Sequence, residues 1–194
     1  MLIDFIADVE SHLEKTTTDG DHNSGTTCII VIAEKNLLTV ANVGDSRAVM
    51  CDFFGVTVDL SVDHKPMEEN EFKRIVEAGG EIYDTGVWRI DGLSMSRSLG
   101  DNKRKKSKHI LPTPDIRTFD LNERRPKFII LASDGVWDVL ESEDAVTFIR
   151  DHHLNDDDFG AKALAKWALK SKSKDNITVL IVIFKNGNYQ VGAN

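Results

Sequence analysis

The chain has few cysteines and no excess of positive charge. Its 194 residues include two cysteines, and 24 basic residues stand against 32 acidic ones, for a net charge of −8. Two thiols cannot build a disulfide framework, so the composition favours a reducing, intracellular and by default cytoplasmic setting. The acidic balance argues against a nucleic-acid-binding protein, which usually carries a basic face.

Long apolar runs are also absent. A stretch such as VLIVIF at 179–184 has the length of a strand, far below the ~20 residues of a spanning helix. The first ten residues carry Asp4 and Asp8 without a basic flank, which is not the pattern of a secretory signal. Leu2 and Ile6 recur there at helical spacing and predict an amphipathic helix, with Phe5 and Val9 on the same face.

The pattern of elements predicts an α+β domain. Strands are predicted over residues 26–34, 36–44, 46–52, 55–60, 116–121, 127–133 and 176–184, and helices between Pro66 and Gly79 and over 141–153 and 157–170. Short turns between the first four strands indicate an antiparallel meander. The strands at 36–44 and 176–184 are continuously apolar and predict burial on both faces, hence two stacked antiparallel sheets flanked by helices.

Two of the helices carry predicted core stripes. The first stripe consists of Phe72, Ile75 and Val76, and the second of Phe159, Ala163 and Trp167 with Leu164 and Ala168 beside it.

Several aspartates stand at the ends of predicted strands. Asp134 ends the apolar run at 128–132, Asp45 follows one strand, Asp175 precedes the last, and Asp138 lies just beyond a glycine. An ionised carboxylate buried without a partner costs several kcal/mol, so Asp134 either reaches water or meets a cation. Converging carboxylates would select Mg²⁺ or Mn²⁺. Each aspartate can equally be an ordinary turn residue, or in the case of Asp138 a helix-start residue.

A zinc site is not indicated. The two cysteines and the six histidines show no paired ligand spacing. The histidines are His12, His22, His64, His109, His152 and His153.

Eight short motifs in order resemble the metal-dependent (type 2C) serine/threonine protein phosphatases, most closely the protein phosphatase 1-like branch. The motifs are SGTT (24–27), VGDSR (43–47), DHKP (63–66), GG (79–80), SMSRSLGD (94–101), PDI (114–116), ASDGVWD (132–138) and DNITV (175–179). One such motif is a weak signal, but eight in register from residue 24 to about 184 cover most of the chain.

The resemblance implies a sandwich of two antiparallel sheets between helices, with two and possibly three Mg²⁺ or Mn²⁺ ions in the complete domain. It implies hydrolysis of phosphoserine and phosphothreonine in protein substrates by a metal-activated water. Asp134 and Asp175 match ligands of one metal, Asp45 matches a ligand of a weaker third metal, and Asp138 matches a residue close to that third site.

The chain departs from the family upstream of SGTT. Family members carry there a phosphate-binding arginine, an acidic metal ligand and a DGH motif, and this sequence has none of them. The segment Asp19–His22 lies too close to SGTT and is interpreted as a loop. We therefore expect residues 1–194 to form the C-terminal portion of one N-terminally truncated catalytic domain, with metal ligands but no catalytic residue. A membrane anchor is expected only if it lies upstream.

Residues 84–110 match the variable flap of the family. Their basic run KRKKSKH at 103–109 is either a solvated loop or an attractor of phosphorylated segments. Arg97 is interpreted as a residue that holds the fold through a salt bridge.

Three functions are weighed. The first is a protein serine/threonine phosphatase whose activity is reduced in this chain alone. The second is a non-catalytic binding module of the same fold, favoured by the missing upstream motifs. The third, a haloacid-dehalogenase-type phosphotransferase, needs an early DxDxT motif that the sequence lacks.

Overall fold

A computed structural model describes residues 2–16, 24–185 and 188–193. Its helices are α1 (Leu2–Thr16), α2 (Glu69–Glu77), α3 (Leu121–Arg124), α4 (Asp134–Trp137), α5 (Ser142–His152) and α6 (Ala161–Lys170). Its strands are β1 (Gly25–Thr26), β2 (Cys28–Glu34), β3 (Leu37–Val43), β4 (Arg47–Cys51), β5 (Thr57–Asp59), β6 (Tyr83–Asp84), β7 (Trp88–Arg89), β8 (Leu99–Gly100), β9 (Asp115–Asp120), β10 (Phe128–Ala132), β11 (Val179–Lys185) and β12 (Asn188–Ala193).

The chain divides into two compact units. The first consists of Met1–Ile30, Ala41–Asp45 and Asp63–Ile116, and the second of Val31–Val40, Ser46–Val62 and Arg117–Asn194. Helices and antiparallel sheets occur together, so the predicted α+β class is confirmed.

A five-stranded sheet organises the second unit. Its order is β12-β11-β10-β4-β5, and each neighbouring pair is antiparallel. The central strand β10 pairs with β4 on one side and β11 on the other, and all five of its side chains are buried. The prediction that this apolar strand lies in the core is confirmed.

Helices α4, α5 and α6 cover one face of this sheet. Val146 and Ile149 from α5 and Leu164 from α6 share a core with Phe128 and Ile130 of β10. These residues have at most 1% of their surface exposed, so each contributes about 1.5–3 kcal/mol through burial.

The other face of β10 and β11 is less enclosed. Val179, Ile181 and Ile183 are buried, whereas Leu180 and Val182 between them are only half-buried. The latter two line a cavity of about 370 Å³ together with Leu38 and Leu131. The prediction that β11 is buried on both faces is therefore wrong for one face, because neighbouring side chains leave this open space beside it.

The first unit has smaller cores. Ile6 of α1 packs with Val43 and Leu99, and Ile75 of α2 packs with Ile90 and Ile110. Two short antiparallel pairs, β1 with β8 and β6 with β7, connect the irregular segments.

Three predicted stripes are partly wrong. Phe5 is 57% exposed, and Phe72 and Val76 are 42% and 51% exposed. Glu71 is buried in place of the two α2 residues because arginines and a serine surround its carboxylate, as described below. Phe159 precedes α6 at a φ of 52°, and α6 buries Ala161, Leu164, Ala165 and Ala168 instead of a stripe centred on Ala163.

The meander prediction is wrong at the joint between β3 and β4, although β2 and β3 are neighbours in one sheet and β4 and β5 pair antiparallel in another. Strand β3 lies in a three-stranded sheet of order β2-β3-β9, while β4 lies in the five-stranded sheet. The turn at residues 44–46 therefore passes the chain from one sheet to another, which a pattern of local turns does not reveal.

Two further expectations concern the loop at Asp19–His22 and membrane-spanning segments. The predicted loop at Asp19–His22 lies outside the described residues. In the part of the chain that the structure covers, every helix is too short or too polar to cross a bilayer.

We expect the amides of β10 to exchange hydrogen most slowly in the second unit, because hydrogen bonds on both edges and full burial protect them. The short pair β6–β7, with Tyr83 and Trp88 exposed, should exchange among the fastest. Native-state hydrogen exchange followed by mass spectrometry or NMR tests this order, and rapid exchange in β10 would contradict the assignment of the core.

Candidate functional site

The segments that contain Asp134 and Asp175 lie at the same end of the paired strands β10 and β11. Ala132, the last residue of β10, pairs with Val179, the first residue of β11. Asp134 begins α4 two residues beyond this pair, and Asp175 lies four residues before it. The antiparallel register thus brings together two aspartates that are 41 positions apart in the printed sequence.

Ser133 ties the two segments to each other. Its backbone N–H donates to the Thr178 carbonyl at 3.1 Å. Its hydroxyl donates to the Asn176 carbonyl at 3.1 Å and accepts from the Thr178 N–H at 3.1 Å. Three hydrogen bonds therefore hold the residue before Asp134 against the residues after Asp175.

Gly135 allows an equally close approach on the other side of Asp134. A Cβ at this position would lie 2.3 Å from the Asn176 carbonyl oxygen, a distance that no side chain tolerates. The glycine is thus required for packing between the two segments, in addition to turning the chain after β10.

The side chains differ in exposure at this strand end. Asp134 is half-buried, and Asp175 and Asp138 are exposed. The backbone N–H of Asp138 donates to the Asp134 carbonyl at 2.8 Å, which closes the single turn of α4. One carboxylate oxygen of Asp175 accepts from the Asn176 N–H at 2.6 Å.

Trp137 stabilises the turn from behind. Its indole N–H donates to the Ala132 carbonyl at 2.9 Å, and the Arg47 guanidinium lies 5.1 Å from the centre of its ring. Arg47 also donates to the Ser142 hydroxyl at 3.0 Å. Trp137 of the ASDGVWD motif therefore stabilises the backbone of this turn.

Asp45 occupies a different environment in the first unit. It is 1% exposed, and the Lys65 ammonium lies 2.5 Å from its Oδ2. This ion pair offsets the cost of burying the carboxylate.

His64 fixes the backbone immediately before Asp45. Its Nδ1 accepts from the Gly44 N–H at 3.0 Å, and its own backbone N–H donates to the Gly44 carbonyl at 3.0 Å. Gly44 has a φ of 101°, and a Cβ there would lie 2.4 Å from the Thr27 side chain. The DHKP segment thus holds the VGD turn by two backbone contacts and one ion pair.

The imidazole of His64 is neutral in this setting. Burial is the main cause that lowers its pKa, and the Arg97 guanidinium lowers the pKa further, against the opposing effect of Asp115. Because Nδ1 accepts a hydrogen bond, the proton resides on Nε2. That nitrogen lies 3.2 Å from Asp115 Oδ2, although the two atoms are not aligned as a hydrogen bond.

A buried ion network connects α2 to the SRSLGD motif. The Glu71 carboxylate, 1% exposed, accepts from Arg97 at 2.6 Å, from Arg74 at 2.8 Å and from the Ser96 hydroxyl at 2.5 Å. Arg97 also donates to Asp115 at 2.7 Å. The interpretation of Arg97 as a structural residue is confirmed.

Three basic residues of the run at 103–109 meet carboxylates of their own unit. Lys105 pairs with the buried Glu10 of α1, Arg104 donates to Asp101 at 2.9 Å, and His109 lies 3.1 Å from Asp91. These pairs favour the interpretation of the run as a structural part of the flap-like segment.

The predicted metal ligands are thus distributed over two settings, with Asp45 in the first unit and Asp134, Asp138 and Asp175 in the second. Among the described residues, no three His, Cys, Asp or Glu side chains are grouped to hold a metal ion. The ligand assignment therefore stays a prediction. The roles of His64, Lys65 and Glu71 were missed, although the DHKP motif and the glutamate next to the apolar stripe of α2 marked their positions.

Comparison with known proteins gives a consistent result. The family model for protein phosphatase 2C matches residues 3–177. Protein phosphatase 1L from Bos taurus is 50% identical over 177 residues, which span 91% of this chain and 49% of that protein. A probable protein phosphatase 2C 45 from Oryza sativa is 40% identical over 90% of this chain and 61% of its own length. The chain thus spans about half the length of the curated relatives it matches.

A solved structure agrees with the fold. The serine-threonine phosphatase 2C from Toxoplasma gondii has a TM-score of 0.82 and 27% sequence identity. The match covers 94% of this chain and 66% of that one.

We expect the buried Glu71 to make stability depend on pH. Burial alone would raise its pKa, but hydrogen bonds from Arg97, Arg74 and Ser96 outweigh that effect and lower the pKa from 4.5 to about 2. A lowered pKa stabilises the fold fully above about pH 4.5, and this stabilisation is lost as the pH falls towards 2. The difference corresponds to about 3 kcal/mol.

Urea unfolding at several pH values between 7 and 2 measures this contribution. Glu71→Gln should lower the free energy of unfolding at pH 7 and flatten its dependence between about pH 4.5 and 2. Glu77→Gln, an exposed residue of the same helix, serves as the matched control and should change neither. An unchanged pH profile in the Glu71 variant would contradict the assigned network.

Proposed function

Because this chain belongs to the protein phosphatase 2C family, we propose that it contributes metal-binding and scaffold residues to a phosphoserine/phosphothreonine protein phosphatase. The observation that carries this proposal is the junction of the SDG and DN segments. Ser133 and Gly135 hold the backbones beside Asp134 and Asp175 in contact across two strands. The hypothesis assigns these two aspartates to one Mg²⁺ or Mn²⁺ ion.

The residues suit such an ion. Asp134 and Asp175 offer only carboxylate oxygens, which hard divalent cations prefer. Mg²⁺ in proteins commonly binds one or two carboxylates and keeps water or phosphate oxygens as its other ligands. A pair of aspartates at an exposed strand end is therefore sufficient for a hydrated ion. Asp45 and Asp138, one in each unit, stay expected metal residues that rest on the family resemblance.

When bound, such an ion lowers the pKa of a coordinated water and offsets the charge of phosphoryl oxygens. The chain itself supplies orientation. Ser133 and Gly135 fix the backbone of the carboxylate pair, while His64 and Lys65 fix Asp45. The Lys65 ammonium holds the Asp45 carboxylate in position through their ion pair.

A phosphorylated serine or threonine in a protein is the proposed substrate of the complete enzyme. Both curated relatives described above are named protein phosphatases. The intracellular location stays a prediction that rests on the two thiols, and both Cys28 and Cys51 are free.

The second candidate is a non-catalytic binding module. It is favoured by the finding that the described residues contain no group of three metal-ligating side chains.

Metal binding tests the first part of the proposal. Isothermal titration of the chain with MnCl₂ should detect binding at the Asp134–Asp175 site. Asp134→Asn should weaken the Mn²⁺ affinity at least about tenfold, because one of the two carboxylate ligands loses its charge. Asp157→Asn removes an exposed carboxylate of the same unit and should leave the affinity unchanged. Equal affinity in all three proteins would contradict the assignment.

Turnover separates the two candidate functions. We expect this chain with Mn²⁺ to hydrolyse a phosphoserine peptide well below the ~1 per second at the low end of usual enzyme rates. Loss of one electrostatic element typically costs about 10²–10³-fold, and several family elements have no counterpart in these 194 residues. Normal turnover would refute the binding-module hypothesis and our view of which elements are needed. Detectable turnover abolished by Asp134→Asn would favour the phosphatase.

A further inference from the structure

A groove in the second unit combines aromatic walls with a cationic rim. It encloses about 630 Å³ and is bordered by the apolar side chains of Phe53, Leu121 and Phe184. Lys35, Arg125 and Lys127 also line it, and among the residues that the structure describes no acidic side chain does. We call this feature the basic–aromatic groove.

Two of the cations converge on one ring. The Arg125 guanidinium lies 5.6 Å from the centre of the Phe53 ring, and the Lys127 ammonium lies 5.9 Å from it. Cation–π attraction holds each charge there, while the two charges repel one another. In a chain of net charge −8, this local positive field is a site where an anion would relieve the repulsion.

The neighbouring carboxylates of Asp52 and Asp120 accept hydrogen bonds from backbone N–H groups. The carboxylate of Asp52 accepts from the backbone N–H groups of Phe54 and Val56 at 2.9 and 2.8 Å. Asp120 caps α3 by accepting from the Asn122 N–H at 2.7 Å. Both carboxylates thus serve turns of their own segments.

The backbone that carries the groove is held in place. The Lys127 N–H donates to the Cys51 carbonyl at 2.8 Å, and the Leu121 N–H donates to the Asn36 carbonyl at 2.7 Å. The site is therefore largely formed before any ligand arrives, which reduces the entropic cost of binding.

Apolar surface continues from the groove onto the tip of the β4–β5 hairpin. Phe54 is 79% exposed and Val56 is 55% exposed, and the Phe54 ring meets the Phe53 ring edge-on at 5.5 Å between centres. Exposed aromatic residues next to arginine and lysine have the composition of protein-binding hot spots.

From these features we infer that the basic–aromatic groove is a docking site for an acidic peptide segment of a partner protein. An aromatic or aliphatic side chain of that segment packs against Phe53 and Phe184, and its flanking carboxylates pair with Arg125 and Lys127. The groove encloses about 630 Å³ between apolar walls, a size and lining that suit a side chain of a peptide segment better than the extended anionic surfaces of nucleic acid and membranes.

The docking site is remote from the proposed metal ligands. Lys127 precedes β10 and Asp134 follows it, and a five-residue strand spans about 17 Å. A segment docked in the groove therefore leaves the Asp134–Asp175 end of the sheet open. The inference does not depend on the proposed phosphatase activity, because it concerns binding alone.

Fluorescence anisotropy with the full chain tests the inference. The probe is a short fluorescein-labelled peptide in which glutamates flank one phenylalanine, with the lysine-flanked peptide as its counterpart. We expect saturable binding of the glutamate peptide only, weakened by added salt. Arg125→Gln combined with Lys127→Gln should reduce the affinity at least about tenfold. Lys166→Gln, an exposed cation of α6 in the same unit, should leave it unchanged.

A second variant, Phe54→Ser, tests the inference in case the double variant of Arg125 and Lys127 does not fold. Phe54→Ser replaces a side chain that is 79% exposed, so it should fold normally and weaken binding several-fold. The inference is overturned if the glutamate peptide does not bind, if both peptides bind equally, or if neither variant changes its affinity. Tighter binding to phosphatidylserine vesicles or to single-stranded DNA than to the peptide would also overturn it.

Discussion

The second unit depends on the burial of one strand between two partners. All five side chains of β10 are buried, and β4 and β11 saturate its hydrogen bonds on both edges. A strand fixed in this way cannot shift register without exposing its apolar side chains. Its two ends are therefore fixed points, with Lys127 and the basic–aromatic groove at one end and Asp134 at the other. Stability in the middle of the strand is thus what gives precise positions to polar residues at its ends.

The first unit solves a different problem, because it buries charge. Glu71 and Asp45 are each 1% exposed, and each is paired with cations that offset the cost of burying a carboxylate. Arg97 and Arg74 surround Glu71, and Lys65 meets Asp45. Because breaking such a pair leaves a buried charge without compensation, these contacts impose one arrangement on the segments they join. Two hydrogen bonds between His64 and Gly44 fix the turn that positions Asp45.

The sequence predicted what depends on local pattern. The α+β class, the buried strand β10 and the helical segments follow from apolar periodicity and turn residues, whereas the expectation that Asp134 and Asp175 come together rests on the family resemblance. Prediction from the sequence failed where long-range contacts determine the structure. Phe72 and Val76 are exposed because the ion network buries Glu71 instead. Strands β3 and β4 lie in two different sheets. The half-exposed face of β11 depends on what neighbouring elements leave open, and no residue within the strand encodes that.

The roles of lysine and arginine in this chain show why a charge run is a poor guide to function. Three basic residues of the conspicuous run at 103–109 are paired within their own unit, for example Lys105 with Glu10. The cations of the basic–aromatic groove are scattered along the sequence at Lys35, Arg125 and Lys127 and form no run. They form a site only because the turn between β2 and β3, the end of α3 and the residues just before β10 lie close together. The two sets differ in their partners. Arg104, Lys105 and His109 of the run meet carboxylates of the same unit. Arg125 and Lys127 of the groove meet the face of the Phe53 ring.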